Sequence, residues 1–233
     1  HHLYYTGSPA FVSALGSVFS ALEIVPLTIV GFEIAQSLRA GRAVGSGYEW
    51  PFRFFAAVCF WNLLGAGVFG MLINPPSILY FGQGLNTTPI HSHAALFGVY
   101  GFLAISLMLF ALRGMTPDRA WDEKWLRFGF WGLNLGLGLM LVLSLIPSGF
   151  YQIAQSLEHG TWYARSAEVV QSPLMRAFTW LRMPGDVLFG LGALAVIVFT
   201  FKAVTGAWRW RGAEEAEPRE APAAVPALLA AKD

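Results

Sequence analysis

Five apolar stretches, each long enough to cross a lipid bilayer, constrain this chain more than any other feature. They cover approximately residues 11–38, 53–73, 90–112, 128–148 and 185–207. A membrane-spanning helix needs roughly 20 apolar residues. The composition agrees, because 55% of the residues are hydrophobic and only 12% are charged, against about 25% charged in soluble domains. The sequence therefore predicts an all-α fold, a polytopic membrane helix bundle in a lipid bilayer.

The charged residues between these stretches predict their orientation. Residues 74–89 carry no charge, whereas the connections before and after them are basic, with Arg39, Arg42 and Arg53 on one side and Arg113, Arg119, Lys124 and Arg127 on the other. Basic connections stay on the cytoplasmic side of a membrane. We therefore expect the start of the chain outside and its C-terminus in the cytoplasm. The outer connection 149–184 is an exception to the charge rule, because it holds Arg165, Arg176 and Arg182.

The two ends and the overall charge add further expectations. No signal peptide is visible and the chain opens without Met, so we expect the C-terminal part of a longer protein, with the upstream portion of the same polypeptide as its partner. Residues 212–233 are rich in Ala, Pro and Glu, which predicts a disordered cytoplasmic tail. The net charge of +1 gives no indication of a nucleic-acid partner. The lone Cys59 supports neither a disulfide nor a metal site.

Two histidines stand two residues apart near the start of the third apolar stretch, His91 and His93. On a helix, residues two apart point about 200° away from each other, so their rings cannot share one metal. They can serve two metals on opposite sides of one helix, and imidazole is the usual proximal ligand of haem iron. The alternative is a pair of ordinary polar residues at the membrane boundary. Because ionisable groups inside a span are costly and usually functional, the pattern favours two haems bound on opposite sides of one helix.

A second histidine pair, His1 and His2, opens the chain. In the predicted topology it lies in the same outer half of the membrane as His91 and His93, as a shared metal centre would require. Adjacent histidines can ligate one metal, and imidazole suits iron, copper and zinc alike. The alternative is the remnant of a purification tag.

Glu23 lies deep within the first apolar stretch, where an unpaired carboxylate is costly. Pro26 removes an amide donor and frees the carbonyl of Leu22, which predicts a kink at this point. One interpretation of Glu23 is a proton relay or metal-site carboxylate, and the other is a hydrogen-bonded structural glutamate. Glu33 lies nearer the cytoplasmic end and is assigned no role.

Four segments resemble the catalytic subunit of bacterial nitric oxide reductases, within the haem-copper oxidase superfamily. They read HHLYYTGSPAFVSALGSVFSALEIVPL, INPPSILYFGQGLNTTPIHSHAALFGVYGFLAISLMLFALR, SGFYQIAQSLEHGTWYARSAE and WLRMPGDVLFGLGA. The resemblance covers nearly the whole chain up to the tail and is greatest to the single-chain, quinol-dependent form. The double His and the HxH pair are superfamily features. The glutamate in the helix after the double His, together with LNTTPIHSHAALFGVYG, is more specific to the nitric oxide reductases.

This resemblance implies two b-type haems and a non-haem iron in the bacterial cytoplasmic (inner) membrane. It implies that His1 and His2 are two of the three histidines of the non-haem iron. His91 would be the proximal ligand of a high-spin haem facing that iron, and His93 an axial ligand of a low-spin haem. The third histidine and the glutamate of the iron, and the second axial histidine, would lie upstream.

The resemblance also implies the reaction, which is coupling of two nitric oxide molecules to nitrous oxide and water with electrons from quinol. Glu23 matches a family glutamate close to the iron pair, and Asp186 matches a carboxylate placed near the quinol head group. By itself, Asp186 is an ordinary residue for a helix N-terminus.

Three other functions stay open. An oxygen-reducing oxidase of type A carries a Lys a few residues beyond the proline that corresponds to Pro26, and residues 27–30 are Leu-Thr-Ile-Val. A cytochrome c-fed reductase differs mainly in the upstream region. A proton-coupled transporter would use the His and Glu residues without haem. Under every hypothesis we expect close helix packing at five glycines, namely Gly65, Gly67, Gly70, Gly132 and Gly136.

Overall fold

The computed structural model describes residues 6–39, 47–116, 118 and 121–216, and every regular element within them is a helix. The α-helices are α1 Ala10–Leu22, α2 Ile24–Arg39, α3 Glu49–Trp61, α4 Gly70–Ile73, α5 Pro76–Gly82, α6 Thr87–Ala95, α7 Phe102–Met115, α8 Glu123–Leu139, α9 Ile146–His159, α10 Ala167–Val170, α11 Pro173–Leu181 and α12 Met183–Ala216. Three π-helical segments, Asn62–Phe69, Leu96–Gly101 and Met140–Leu145, continue α3, α6 and α8. The prediction of an all-α fold is confirmed.

Five stretches of the described residues are long and apolar enough to cross a membrane, as predicted. We call them the first to fifth spans: Ala10–Glu33, Glu49–Ile73, Thr87–Met115, Glu123–His159 and Pro173–Gly206. The fourth and fifth extend well beyond the predicted limits, because their helices continue into polar sequence that an apolar window leaves out.

The connections at 74–89 and 149–184 are largely helical. Ser166 and Ser172 cap α10 and α11, since their hydroxyls accept hydrogen bonds from Val169 N and Met175 N. Pro173 occupies the first turn of α11, where its missing amide costs nothing. At the other end, α12 continues to Ala216, into the first residues of the predicted tail, and residues 217–233 lie outside the described part.

Glycines bring the spans into direct backbone contact. A Cβ on Gly136 would lie 2.5 Å from the backbone nitrogen of Phe189, and one on Gly132 would lie 2.8 Å from the Cα of Gly192. A Cβ on Gly65 would lie 2.6 Å from that of Ala94, which joins the second span to the third. The packing role predicted for these three glycines is confirmed. The close packing predicted at Gly67 is not found, because a Cβ at this position would make only ordinary contacts of 3.5 Å or more.

The core of the bundle lies among the second to fifth spans. Phe54 is fully buried between the rings of Phe102 and Phe130, with ring centroids 5.9 and 5.3 Å away. The first span is different, because only 6% of the residues in its most apolar stretch are buried by the described residues. It contacts the bundle near the cavity described next.

Candidate functional site

His91 and His93 lie on α6, and a backbone carbonyl accepts a hydrogen bond from Nδ1 of each ring. Gly65 O lies 2.8 Å from Nδ1 of His91, and Pro89 O lies 2.9 Å from Nδ1 of His93. Because a carbonyl can only accept, Nδ1 carries the hydrogen in both rings. In the neutral imidazole the lone pair is then on Nε2, the nitrogen able to bind a metal. Metal-ligating histidines are held by such a bond to the other nitrogen.

The two rings face different parts of the bundle, as the helical spacing predicts. His91 lies against the second span, where a Cβ on Gly70 would be 3.2 Å from its Cε1. His93 lies against the junction of α11 and α12, where Nη2 of Arg182 is 3.0 Å from its Nε2. This contact agrees with the tautomer, because the guanidinium can only donate and Nε2 must therefore accept.

The carbonyl that holds His91 belongs to the π-helical segment Asn62–Phe69. In this wider turn Gly65 O accepts the backbone hydrogen bond from Gly70 N, five residues on, and also bonds to the His91 ring. π-helical turns occur frequently at functional sites. Here the turn directs one carbonyl of the second span towards a side chain of the third.

Glu23 and His91 line the same cavity, which has a volume of about 600 Å³. Glu23 lies between α1 and α2, and α1 ends at Leu22, the residue whose carbonyl was predicted to be freed by Pro26. The helix is thus interrupted at one residue, Glu23, which keeps helical dihedral angles, and the predicted kink stays a prediction. The Glu23 side chain is exposed rather than buried, because few described residues cover the first span.

Asn74 lines this cavity too, and the sequence reasoning did not find it. Its side chain is only 2% exposed, and its Oδ1 has no hydrogen-bond partner within the described residues. Asn74 follows Gly70 by one helical turn, which places it on the side of the second span that meets the His91 ring. The sequence feature that could have pointed to Asn74 is its position directly after an apolar stretch and before Pro75-Pro76.

Asp186 lies in the first turn of α12, and its carboxylate binds Arg182. Nε of Arg182 lies 3.0 and 3.1 Å from the two oxygens of Asp186, while its Nη2 reaches His93. Two predicted residues, His93 and Asp186, are thus joined through a third that the sequence reasoning missed. The sequence RMPGD places opposite charges four residues apart, and this spacing could have predicted the ion pair of Arg182 and Asp186.

A network of polar side chains fixes the start of α6. Gln152 on α9 accepts a hydrogen bond from Asn86 N at 2.9 Å and donates one to Ala164 O at 3.2 Å. Ser148 accepts from Nδ2 of Asn86 at 3.0 Å. These bonds join the helix that carries both histidines to the fourth span, so the direction of α6 is set by buried polar contacts.

Comparison with known proteins identifies the bundle. The family described as cytochrome c and quinol oxidase polypeptide I matches residues 1–188. The chain belongs to this family, the haem-copper oxidases. It is 29% identical over 217 residues to a nitric oxide reductase subunit of Stutzerimonas stutzeri, and the match covers 87% of this chain and 43% of that protein. The chain thus spans less than half the length of this relative.

The described part of this haem-copper oxidase chain does not contain a complete metal centre. No group of three or more His, Cys, Asp or Glu side chains arranged to hold a metal ion is found among residues 6–39, 47–116, 118 and 121–216. His1 and His2, predicted as ligands of the non-haem iron, lie outside these residues. The site residues that the structure places are Glu23, His91, His93 and Asp186.

Proposed function

We propose that this chain forms the haem-ligating part of a quinol-dependent nitric oxide reductase. The observation that carries the proposal is that Glu23 and His91 line one cavity, while His93 faces away from His91 towards Arg182 and Asp186. One helix thus separates a candidate reaction site from a candidate site for electron input. The similarity to a nitric oxide reductase subunit supports this chemistry over oxygen reduction.

The residues present fit a haem on the His91 side. A cavity of about 600 Å³ lies within the range of roughly 300–1,000 Å³ typical of cofactor sites. The His91 tautomer leaves the lone pair on Nε2, and the Oδ1 of Asn74 has no partner among the described residues, as expected where a bound group completes a site. We propose that His91 holds the high-spin haem and that His93 holds the low-spin haem once Arg182 releases its Nε2, with His1 and His2 as ligands of a non-haem iron.

The overall reaction is 2 NO + 2 e⁻ + 2 H⁺ → N₂O + H₂O. Haem and non-haem iron supply the sites at which nitric oxide is bound and reduced. The chain's own residues do three things. Gly65 O orients the His91 ring, Glu23 holds a proton at the wall of the cavity, and α6 gives electrons a short path from the His93 side to the His91 side.

The proposal that quinol is the electron donor rests on Asp186. This carboxylate lies at the predicted outer end of the fifth span, 45% exposed, and one arginine separates it from His93. A lipid-soluble donor that releases two electrons also releases two protons, and an exposed carboxylate beside the acceptor haem can take one of them. Cytochrome c as donor is the second candidate, since the family includes both classes.

The test is the Glu23→Gln variant of the full-length protein in membranes. This change keeps the shape of the side chain and removes its proton, so nitric oxide turnover should fall by about a hundredfold while both haem spectra persist. Glu33→Gln is the matched control, because Glu33 is on the same span, is exposed and does not line the cavity. Equal turnover in the two variants would remove Glu23 from the mechanism. Oxygen consumption without nitric oxide reduction in the unmodified protein would overturn the proposed reaction.

A further inference from the structure

A second cavity, separate from the one that holds Glu23 and His91, lies between the second and fourth spans. It is an open groove of about 710 Å³, formed by the side chains of α3 and α8 and of the π-helical segments that follow them. Ala56, Phe60 and Leu64 lie along one wall, and Trp131, Leu135 and Gly138 lie along the other. Its lining is apolar apart from Arg53 and Asn134.

Two polar side chains inside this groove, those of Trp61 and Asn134, are hydrogen-bonded within the bundle. Nε1 of Trp61 donates to Oδ1 of Asn134 at 2.9 Å, and Nδ2 of Asn134 donates to Phe130 O at 2.7 Å. An occupant of the groove therefore finds apolar surface and no amide awaiting a hydrogen bond. This suits a hydrocarbon chain and disfavours a quinol ring, whose two hydroxyls would lose hydrogen bonds on entering.

Arg53 places a positive charge at one end of the groove. Its side chain is exposed, and its guanidinium lies over the Trp50 ring, 4.4 Å from the centroid. From Arg53 to Leu64 the helix rises about 16 Å at 1.5 Å per residue. One leaflet of a bilayer is about 15 Å of hydrocarbon. The groove thus spans one leaflet, with a cation at the level of the lipid head groups.

We propose that this groove binds an anionic phospholipid, with an acyl chain between the second and fourth spans and the phosphate at Arg53. The charge agrees with the location, because Arg53 lies at the basic end of the bundle, which the sequence predicts to be cytoplasmic. Basic side chains at that surface attract anionic lipid head groups. The proposal does not depend on the reaction, since none of these residues lines the cavity of Glu23 and His91.

Two variants test the two halves of the site in the full-length protein. A Cβ on Gly138 would meet nothing within 4 Å, so Gly138→Leu fills the groove without displacing backbone. Arg53→Gln removes the charge and keeps much of the chain length. Gly190→Leu is the control, because a Cβ on Gly190 also meets nothing within 4 Å and this residue lies on the fifth span, outside the groove.

The measurement is retention of phosphatidylglycerol against phosphatidylcholine of the same acyl composition, by native mass spectrometry of the purified protein, with haem content as the folding control. Unmodified protein and Gly190→Leu should retain phosphatidylglycerol preferentially, and Gly138→Leu should lose it. Arg53→Gln should weaken phosphatidylglycerol binding by about fivefold, as expected for one basic side chain at a membrane surface. Retention that is unchanged by Gly138→Leu would overturn the proposal. So would equal retention of both lipids in every variant, or recovery of a quinone in place of phospholipid.

Discussion

At the scale of single residues, Gly70 leaves room for the His91 ring beside the second span. A Cβ added there would lie 3.2 Å from Cε1 and 3.3 Å from Nδ1 of His91. Those distances are tighter than ordinary van der Waals contact, so the ring would have to shift by a few tenths of an ångström. Any shift lengthens or bends the bond from Nδ1 to Gly65 O that fixes the tautomer.

Gly70→Ala should therefore alter the high-spin haem while leaving the fold intact. Overpacking of this kind costs about 1–3 kcal/mol, and the perturbed ligand should broaden or shift the high-spin absorption band more than the low-spin band. Absorption spectra of the full-length protein, with Gly190→Ala as the control at an open position, give the measurement. Identical high-spin bands in the two variants would show that the close approach does not constrain His91.

Asp186 holds Arg182 next to His93, and its removal should separate two kinds of electron donor. Asp186→Ala should lower quinol-driven nitric oxide reduction more than reduction by an artificial reductant that feeds the haem directly, because only the first requires a docked quinol. Asp186→Glu, which keeps the charge, should recover part of the quinol-driven rate. An equal loss with both donors would show that Asp186 only holds Arg182 in place and takes no part in the reaction with quinol.

At the scale of helices, the direction of α6 depends on polar contacts from α9. Gln152 is only 6% exposed, and its amide satisfies both Asn86 N and Ala164 O. Gln152→Leu would leave these two backbone groups without their partner, at about 1–3 kcal/mol for each group that stays buried. We expect a lower unfolding temperature and faster hydrogen exchange in the first turn of α6.

The matched control is Gln171→Leu, at an exposed glutamine in the same connection between the fourth and fifth spans as Ala164. It should leave both quantities unchanged. Similar destabilisation by both substitutions would mean that the network around Gln152 does not hold α6.

The opposite end of the bundle is joined by an ion pair between Asp122 and Lys202. Nζ of Lys202 lies 3.0 Å from Oδ2 of Asp122, and this hydrogen bond lowers the pKa of the Asp122 carboxyl below its usual value. A lowered pKa in the folded state means that the carboxylate stabilises the fold above its unfolded-state pKa, and that this stabilisation is lost as the pH falls through the folded-state value. Because both side chains are partly exposed, the effect is small.

Asp122→Asn should accordingly lower the unfolding temperature slightly at neutral pH and not at all in strong acid. The two unfolding curves, measured from pH 7 downwards, should converge once Asp122 of the unmodified protein is protonated. A difference that stays constant across this range would show that the substitution acts through something other than the charge.

Sequence alone predicted the features that depend on local helix geometry, and it missed those that depend on contacts between distant residues. The opposite directions of His91 and His93 depend only on helical geometry, so sequence was enough to predict them. Asn74 was missed because an asparagine is informative only when its burial is known. The π-helical turn at Gly65 was missed because its contacts, with Ala94 and the His91 ring, are made between distant parts of the chain.

At the scale of the whole molecule, the third span divides the bundle into two regions with different chemistry. On one side lies the cavity of Glu23, Asn74 and His91, and on the other lies the ion pair of Arg182 and Asp186 beside His93. The predictions of five spans and an all-α membrane bundle are confirmed, since apolar length alone decides them. The assignment of haems to the two sides is our proposal, because it depends on ligands outside the described residues.

The most direct test of this division compares His91→Ala with His93→Ala in the full-length protein, inserted in membranes at matched expression. If α6 is held between two haems, each variant should damage one haem and leave the other ligated. His91→Ala should abolish turnover and the ligand-binding high-spin signal while keeping a low-spin spectrum. His93→Ala should lose the low-spin band and electron input while keeping the ability to bind carbon monoxide. Identical spectra in the two variants, both depleted in the same haem, would contradict the account.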